Sequence, residues 1–489
     1  MTTATPTRPR TGPAAAEPAA RRYRVRRLQG PAWLDGPMIS FHLVLGASGL
    51  LLAIGLVMVF SASSVAAALD SEPVWAPGAK QVGWAVVGLV TMFLALRLPV
   101  GVLRRHSRKA MLVVIVLLVL VLVPGIGLKL NGARQWFNLG FANLQPSEIG
   151  KLVFALWGAH AIALRGRYLT TRTMLVPVLP MFALLCGLLL LEPDFGGVVS
   201  LGLVLAGLLW GAGLPVRFLG WFAGVAAVLV AVMVKLAPYR LARVTSFLDP
   251  FSDPNGTGLQ AVRGMYALAT GGFTGVGLGN SRMKWNLLPH AESDYIFAII
   301  GEELGFLGCL VVVTLYGVLA YAGFRIARRS VDRFVQLAAV AIVVWLIGQA
   351  TMNMGYVVGL LPVTGVQLPL ISAGGTSLVL TLFIVGLLAR FALSEPAAIE
   401  AQRHRARGRL ARWLLPVPEH PVDPIRPRRP RPAAAAARGP AARTAAAPRA
   451  AAAPRAAAAP RTAAPRPAAG QERRRGGPTP PARRSRGPR

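Results

Sequence analysis

One carboxylate at the edge of an apolar helix is the residue of this chain best placed to do chemistry. Between Lys284 and Phe306 the chain reads KWNLLPHAESDYIFAIIGEELGF, so a polar, proline-bearing loop runs into a hydrophobic helix with Asp294 at the join. An acid held there can take a proton from a hydroxyl group, and cations on nearby loops can stabilise an anion that departs in the same step. Arg134, Lys151, Arg240, Arg243, Arg263, Arg282 and Lys284 supply those cations. A leaving group as good as a phosphate needs no second carboxylate to protonate it, which separates this pattern from the paired acids of glycosidases. Lys151 differs from the other cations because it falls in the first turn of an apolar segment, where an ionisable group needs a partner or an anionic ligand. Glu148, three residues earlier on the same face, is the obvious neighbour, and a purely structural ion pair is the competing reading. Capping competes with catalysis at the join itself, since Asp294 or Ser293 could close the first turn of the following helix.

The elements that must position these residues are membrane spans. Of 489 residues, 54% are hydrophobic and 15% charged, mean hydropathy is +0.53, and the apolar runs are long enough to cross about 30 Å of hydrocarbon as helices. The pattern predicts an all-α integral membrane protein with ten spans, near 40–62, 80–98, 110–125, 149–164, 173–191, 196–213, 216–236, 295–325, 334–361 and 367–393. Residues 1–38 read as a disordered basic arm, 39–394 as one membrane bundle, and 395–489 as a disordered Ala/Pro/Arg-rich basic tail. No cleavable signal peptide is evident, because the first apolar run is too long and lies behind that arm.

Short basic loops stay cytoplasmic. Arg21, Arg22, Arg24, Arg26 and Arg27 precede the first span, and basic residues follow every even-numbered one: Arg104 and Arg105, Arg165 and Arg167, Arg217, Arg325 with Arg328 and Arg329, and Arg390. Both termini are therefore expected inside, with the loops around 66–80, 126–148, 192–195, 237–294 and 362–367 outside. The longest of these lies between spans seven and eight and ends on Asp294.

The net charge of +34 invites a nucleic-acid reading, but much of it lies in the tail, where no aromatic residues are interleaved for base stacking. A basic cytoplasmic tail instead suits anionic lipid headgroups. Cys186 and Cys309 both fall within spans, and no disulfide framework or metal motif is present. The glycine run Gly271 to Gly279 has the composition of a phosphate cradle but follows no strand and carries no P-loop lysine. Asp194 in EPDFGG and Ser147 read as helix starts, and Glu302 and Glu303 lie deep enough in the eighth span to be satisfied inside the bundle.

Outside the tail, dense polar sequence crowds onto one face: GARQW and QPSE in the second outer loop, EPDFG in the third, FLDP and GLGNS in the fourth, with EELGF after it. Asn353, Gly359, Pro362, Gly365, Ser372, Gly374, Gly375 and Ser377 follow in the fifth. In order and spacing these motifs resemble the SEDS family (shape, elongation, division, sporulation), the group of FtsW and RodA, over about residues 40–394. VFSASS at Val59 to Ser64 and the long basic tail look more like the actinobacterial FtsW branch than like RodA.

That resemblance implies a peptidoglycan glycosyltransferase of the cytoplasmic membrane that polymerises lipid II at the outer face during cell division. Asp294 matches the family's proposed catalytic acid. Arg134, Glu148, Lys151, Arg243, Arg263, Lys284 and Ser372 are then the candidates to bind substrate and its pyrophosphate. No cofactor is required by the residues, and assistance from a divalent cation stays open. The implied partners are a class B penicillin-binding protein acting as transpeptidase, other division proteins and membrane lipids. Many relatives carry Glu and His where this chain has His290 and Glu292, which leaves the roles of those two residues open. A lipid-borne substrate also requires a groove between spans that opens to the bilayer and leads to the pocket under the fourth loop. A lipid II flippase would spread polar residues through the membrane depth, and a division scaffold would leave Asp294 without work.

Overall fold

In hydrocarbon only a helix pairs every backbone group within its own segment, so the long apolar runs fold as helices. The computed structural model describes residues 36–404, apart from 70, 131–132, 141, 167–170, 219, 223, 225–245 and 286. Its helices are α1 (Ile39–Leu69), α2 (Ala76–Arg97), α3 (Val100–Leu122), α4 (Pro146–Ala163), α5 (Thr171–Leu191), α6 (Phe195–Ala212), α7 (Leu259–Gly271), α8 (Ile296–Arg329), α9 (Arg333–Val357), α10 (Gly375–Leu393) and α11 (Pro396–His404). Seven of them, α1, α2, α5, α6, α8, α9 and α10, are long and apolar enough to cross a membrane. The chain is a multi-pass helical membrane protein. Helices α3 and α4 fall short of that standard because they carry Arg104, Arg105, Arg108 and Lys109, and Glu148 and Lys151, yet they pack on each other in the same bundle. The seventh expected span, near 216–236, lies mostly outside the described residues.

The bundle is helical as expected, with one small sheet added outside it. The loop between α3 and α4 forms a three-stranded antiparallel sheet in the order β1 (Leu128–Leu130), β2 (Ala133–Asn138), β3 (Asn143–Leu144). Leu128 pairs with Trp136 and Phe137 with Leu144. Short connections bring these segments side by side, and their backbone groups pair where no helix can form.

The last span also begins later than expected, at Gly375 rather than 367. Residues 358–374 are irregular, yet Leu368, Leu370 and Ile371 are fully buried. Gly55 of α1 makes room for them, since a Cβ there would lie 2.6 Å from the Leu370 carbonyl oxygen.

Helix α8 is broken at Gly305, which adopts φ +67° and ψ −167°. The break frees backbone groups inside the bundle, and the glycine run after α7 takes them up. Val276 and Gly277 donate to the carbonyls of Glu302 and Glu303, while Phe306 and Leu307 donate to those of Gly272 and Phe273. Only a chain without side chains comes so close: a Cβ on Gly275, at φ +85°, would meet the Glu303 carbonyl oxygen at 2.2 Å. The glycine run is therefore a splint for a broken helix. Gly275→Ala should destabilise the protein by at least about 2 kcal/mol from backbone strain and overlap together. Gly317→Ala, on the same helix with nothing within 4 Å of its added methyl, should be neutral or slightly stabilising. Thermal unfolding of the two variants in detergent checks the contrast.

Candidate active site

Asp294 ends a turn whose shape is set by His290. His290 adopts φ +58°, a conformation histidine tolerates better than most side chains. Its carbonyl accepts the amides of Ser293, Asp294 and Tyr295. From there the peptide is held by three successive carbonyls. Ala373 N donates to the Glu292 carbonyl, Ser372 Oγ to that of Ser293, and Asn353 Nδ2 and Tyr356 OH, at 2.9 and 2.8 Å, to that of Asp294. Asn353 and Tyr356 also reach the Val366 carbonyl at 2.7 and 2.9 Å. The buried loop 358–374 and the start of α8 are thus fixed to one another through the end of α9.

This clamp aims the Asp294 carboxyl at Gly365. A Cβ added to Gly365, at φ +67°, would stand 3.5 Å from Asp294 Oδ2. Gly365 in turn lines a cavity of about 600 Å³, so the Asp294 carboxyl lies next to a residue of the cavity wall. The cavity is built from β2, the start of α4, the EPDFGG turn into α6, Gln349 of α9, loop 358–374 and the start of α10. No described residue of the fourth outer loop lines it. A smaller apolar pocket of about 300 Å³ does lie there, between Phe247, Phe251, Met265 and Tyr356.

Lys151 is the one cation lining the main cavity among the described residues. It is 2% exposed, with Nζ 2.6 Å from Glu148 Oε1 and 5.3 Å from the ring centre of Trp345. Glu148 shares the same wall. Asp194 caps α6 by accepting the Gly197 amide at 2.7 Å and also accepts Ser147 Oγ at 2.9 Å.

Three of the remaining expected cations are committed elsewhere. Lys284 is buried, donating to the Gly279 carbonyl at 2.6 Å and lying 3.4 Å from Glu303 Oε1, which also accepts Ser61 Oγ. Arg134 donates to the Leu122 carbonyl at the end of α3, and Arg263 to the Leu287 carbonyl. These three brace loops instead of facing the cavity. Arg240 and Arg243 lie outside the described residues. Ser372 acts on the backbone beside Asp294, accepting the Leu368 amide while donating to the Ser293 carbonyl. Glu302 is buried against Ser281 and the amides of Arg282 and Met283.

Tyr356, Gln349 and Gln81 went unremarked in the sequence. A glutamine inside an apolar span was the available signal, because it needs a partner there. Gln349 donates to the Gln367 carbonyl, and Gln81 accepts the Gly374 amide.

Residues 41–396 match the family model of the FtsW, RodA and SpoVE cell cycle proteins. The chain belongs to the FtsW/RodA/SpoVE family. A Mycobacterium tuberculosis protein named probable peptidoglycan glycosyltransferase FtsW is 46% identical over 420 residues, 85% of this chain and 79% of the relative. Stage V sporulation protein E of Bacillus subtilis is 37% identical over 341 residues, 69% and 93%. Among solved structures, a peptidoglycan synthase complex coordinating polymerisation and crosslinking superposes with a TM-score of 0.61 at 31% identity, covering 72% of this chain and 97% of that one. Thermus thermophilus RodA superposes at 0.55 and 27% identity, covering 75% and 99%.

In this member of the FtsW/RodA/SpoVE family, Glu192 carries an unusual acid between α5 and α6. It is fully buried, and among the described residues neither carboxyl oxygen has a hydrogen-bond partner. Burial, with the Asp194 charge adding to it, pushes its pKa up to about 8 from 4.5. Between those values the folded chain binds more protons than the unfolded one, so stability falls as pH rises from about 4.5 to about 8 and is level above. Glu192→Gln should flatten that slope and gain on the order of 1–3 kcal/mol at pH 8. Melting temperature against pH for the two proteins is the check.

Proposed function

We propose that the chain is a peptidoglycan glycosyltransferase that polymerises lipid II during cell division, with Asp294 as general base and undecaprenyl pyrophosphate as leaving group. The observation that carries this reading is the aim of the Asp294 carboxyl at Gly365, in the wall of the cavity that holds Lys151. A sugar hydroxyl entering beside Gly365 would give its proton to Asp294 as its oxygen attacks an anomeric carbon bearing pyrophosphate. Lys151 lies in the same cavity to offset negative charge on the phosphates, and Glu148 and Trp345 hold it there. Close relatives bear the glycosyltransferase name, which supports the same chemistry.

Ten spans, both termini inside and an outward-facing cavity fit the distribution of charge. Arg325 meets Ser40 and Gly36, Arg104 meets Asp332, and Arg390 meets Leu98. These basic contacts gather at the opposite helix ends from the cavity. The transpeptidase partner rests on the family likeness and on the synthase complex that the fold matches. A divalent cation bridging substrate phosphates would draw on one or two carboxylates, and Glu148 and Asp194 are those lining the cavity. Among the described residues no group of three or more His, Cys, Asp or Glu gathers to hold one, and Glu148 and Asp194 are already engaged by Lys151, Ser147 and Gly197. No step is therefore routed through a metal.

Reconstitution of the full chain with its partner and purified lipid II tests the reading. Asp294→Asn should lower glycan polymerisation by at least about 100-fold, with the protein folded and its melting temperature retained. Equal polymer from both proteins would falsify the base assignment. Movement of lipid II across the membrane without polymer would identify a flippase, and a silent Asp294→Asn with no polymer from either would identify a scaffold.

A further inference from the structure

One buried hydroxyl joins the acid to the cavity wall. The Tyr356 hydroxyl stands 2.8 Å from the Asp294 carbonyl and 2.9 Å from the Val366 carbonyl. The first carbonyl belongs to the peptide of the acid, and the second to a residue that lines the main cavity next to Gly365. A single oxygen stays within bonding reach of both only while the two peptides keep a fixed separation. Tyr356 therefore spans the acid and the wall beside it.

Counting protons separates this arrangement from the mere pairing of a buried hydroxyl. Asn353 Nδ2 carries two protons and Tyr356 one. Their acceptors are the Asp294 carbonyl, the Val366 carbonyl and the tyrosine oxygen itself, which lies 2.6 Å from Asn353 Nδ2. Two protons from Asn353 would suffice for the two carbonyls. What the tyrosine adds is direction, because it accepts from the amide while donating to a carbonyl. Asn353 Oδ1 is buried and, among the described residues, has no hydrogen-bond partner to hold the amide from its other side. The Tyr356 ring is 1% exposed, tilts against the Tyr295 ring at 5.6 Å between centres, and lines the apolar pocket with Met265 and Phe251. A phenylalanine would fill the same space, so the hydroxyl is separable from the packing.

We propose that Tyr356 is a positioning residue of the active site, whose hydroxyl sets the distance between the Asp294 carboxyl and a sugar hydroxyl bound in the main cavity. It acts through the Asp294 peptide and touches none of the reacting atoms. Without it the two carbonyls stay paired through Asn353, but the acid is free to shift relative to the wall. Such a shift weakens the transition state, where the base must meet the proton, more than it weakens substrate binding. This role rests on the glycosyltransferase reading with Asp294 as base.

Polymerisation of lipid II by the full chain with its partner, together with melting temperatures of the same proteins, provides the test. Tyr356→Phe should lower kcat about tenfold with KM within about twofold of wild type. Met265→Ala removes packing from the same ring and leaves every hydroxyl contact, so its kcat should stay within about twofold even where its melting temperature falls further. In an Asp294→Asn background Tyr356→Phe should cost no further activity, because no carboxylate is left to aim. Unchanged kcat in Tyr356→Phe overturns the positioning role and leaves Asp294 standing as base. Losses of kcat that follow melting temperature across Tyr356→Phe and Met265→Ala overturn it as well, as does the full Tyr356→Phe loss repeated in the Asp294→Asn background, since both mark a purely structural tyrosine. An Asp294→Asn protein as active as wild type overturns the base assignment and the positioning role together.

Discussion

Irregular backbone buried in a membrane bundle must have its polar groups paired by something other than a helix. Residues 358–374 carry that requirement, and the structure meets it with side chains. Gln349 takes the Gln367 carbonyl, Asn353 and Tyr356 the Val366 carbonyl, Tyr316 the Pro369 carbonyl, and Gln81 the Gly374 amide. Leaving one such group unpaired costs about 1–3 kcal/mol, so each donor is held in place by what it satisfies. Two of these donors, Asn353 and Tyr356, also reach the Asp294 carbonyl. Positioning of the acid follows from the need to bury a loop, and the loop presents Gly365 where the acid points.

A second constraint operates on the other side of Asp294. The helix it introduces is broken at Gly305, and the glycine run from Gly271 closes the break by exchanging backbone hydrogen bonds with it. Glu302 and Glu303 stand just before that break, and their carboxylates are held by Ser281, Ser61 and Lys284. The fourth loop is thereby fastened to the bundle by charge and by backbone. That explains why so polar a loop contributes little to the cavity: its polar residues are spent on the attachment.

Much of this was legible in the residues. Apolar runs located nine of the ten expected helices among the described residues, and the join at Asp294 was visible as a change from polar loop to apolar helix. Glu148 and Lys151 were readable as a pair from their spacing, and Glu302 and Glu303 as satisfied acids from their depth. The cavity was not legible, because it is made where the sheet and the buried loop meet, and neither leaves a periodic signal. Residues 358–374 are apolar enough to read as the end of one span and the beginning of the next. Lys284, Arg134 and Arg263 misled for a related reason: a cation on a polar loop looks alike whether it faces a substrate or a carbonyl.

The pieces form one arrangement, in which a clamped acid lies beside a cavity that holds a buried lysine. A structure of the chain bound to a lipid-linked pyrophosphoryl sugar tests it most directly. The assignment of Asp294 as base requires a sugar hydroxyl beside Gly365, within about 3 Å of the Asp294 carboxyl or joined to it through one water. A sugar bound with its hydroxyls remote from Gly365 and out of reach of the Asp294 carboxyl would contradict it.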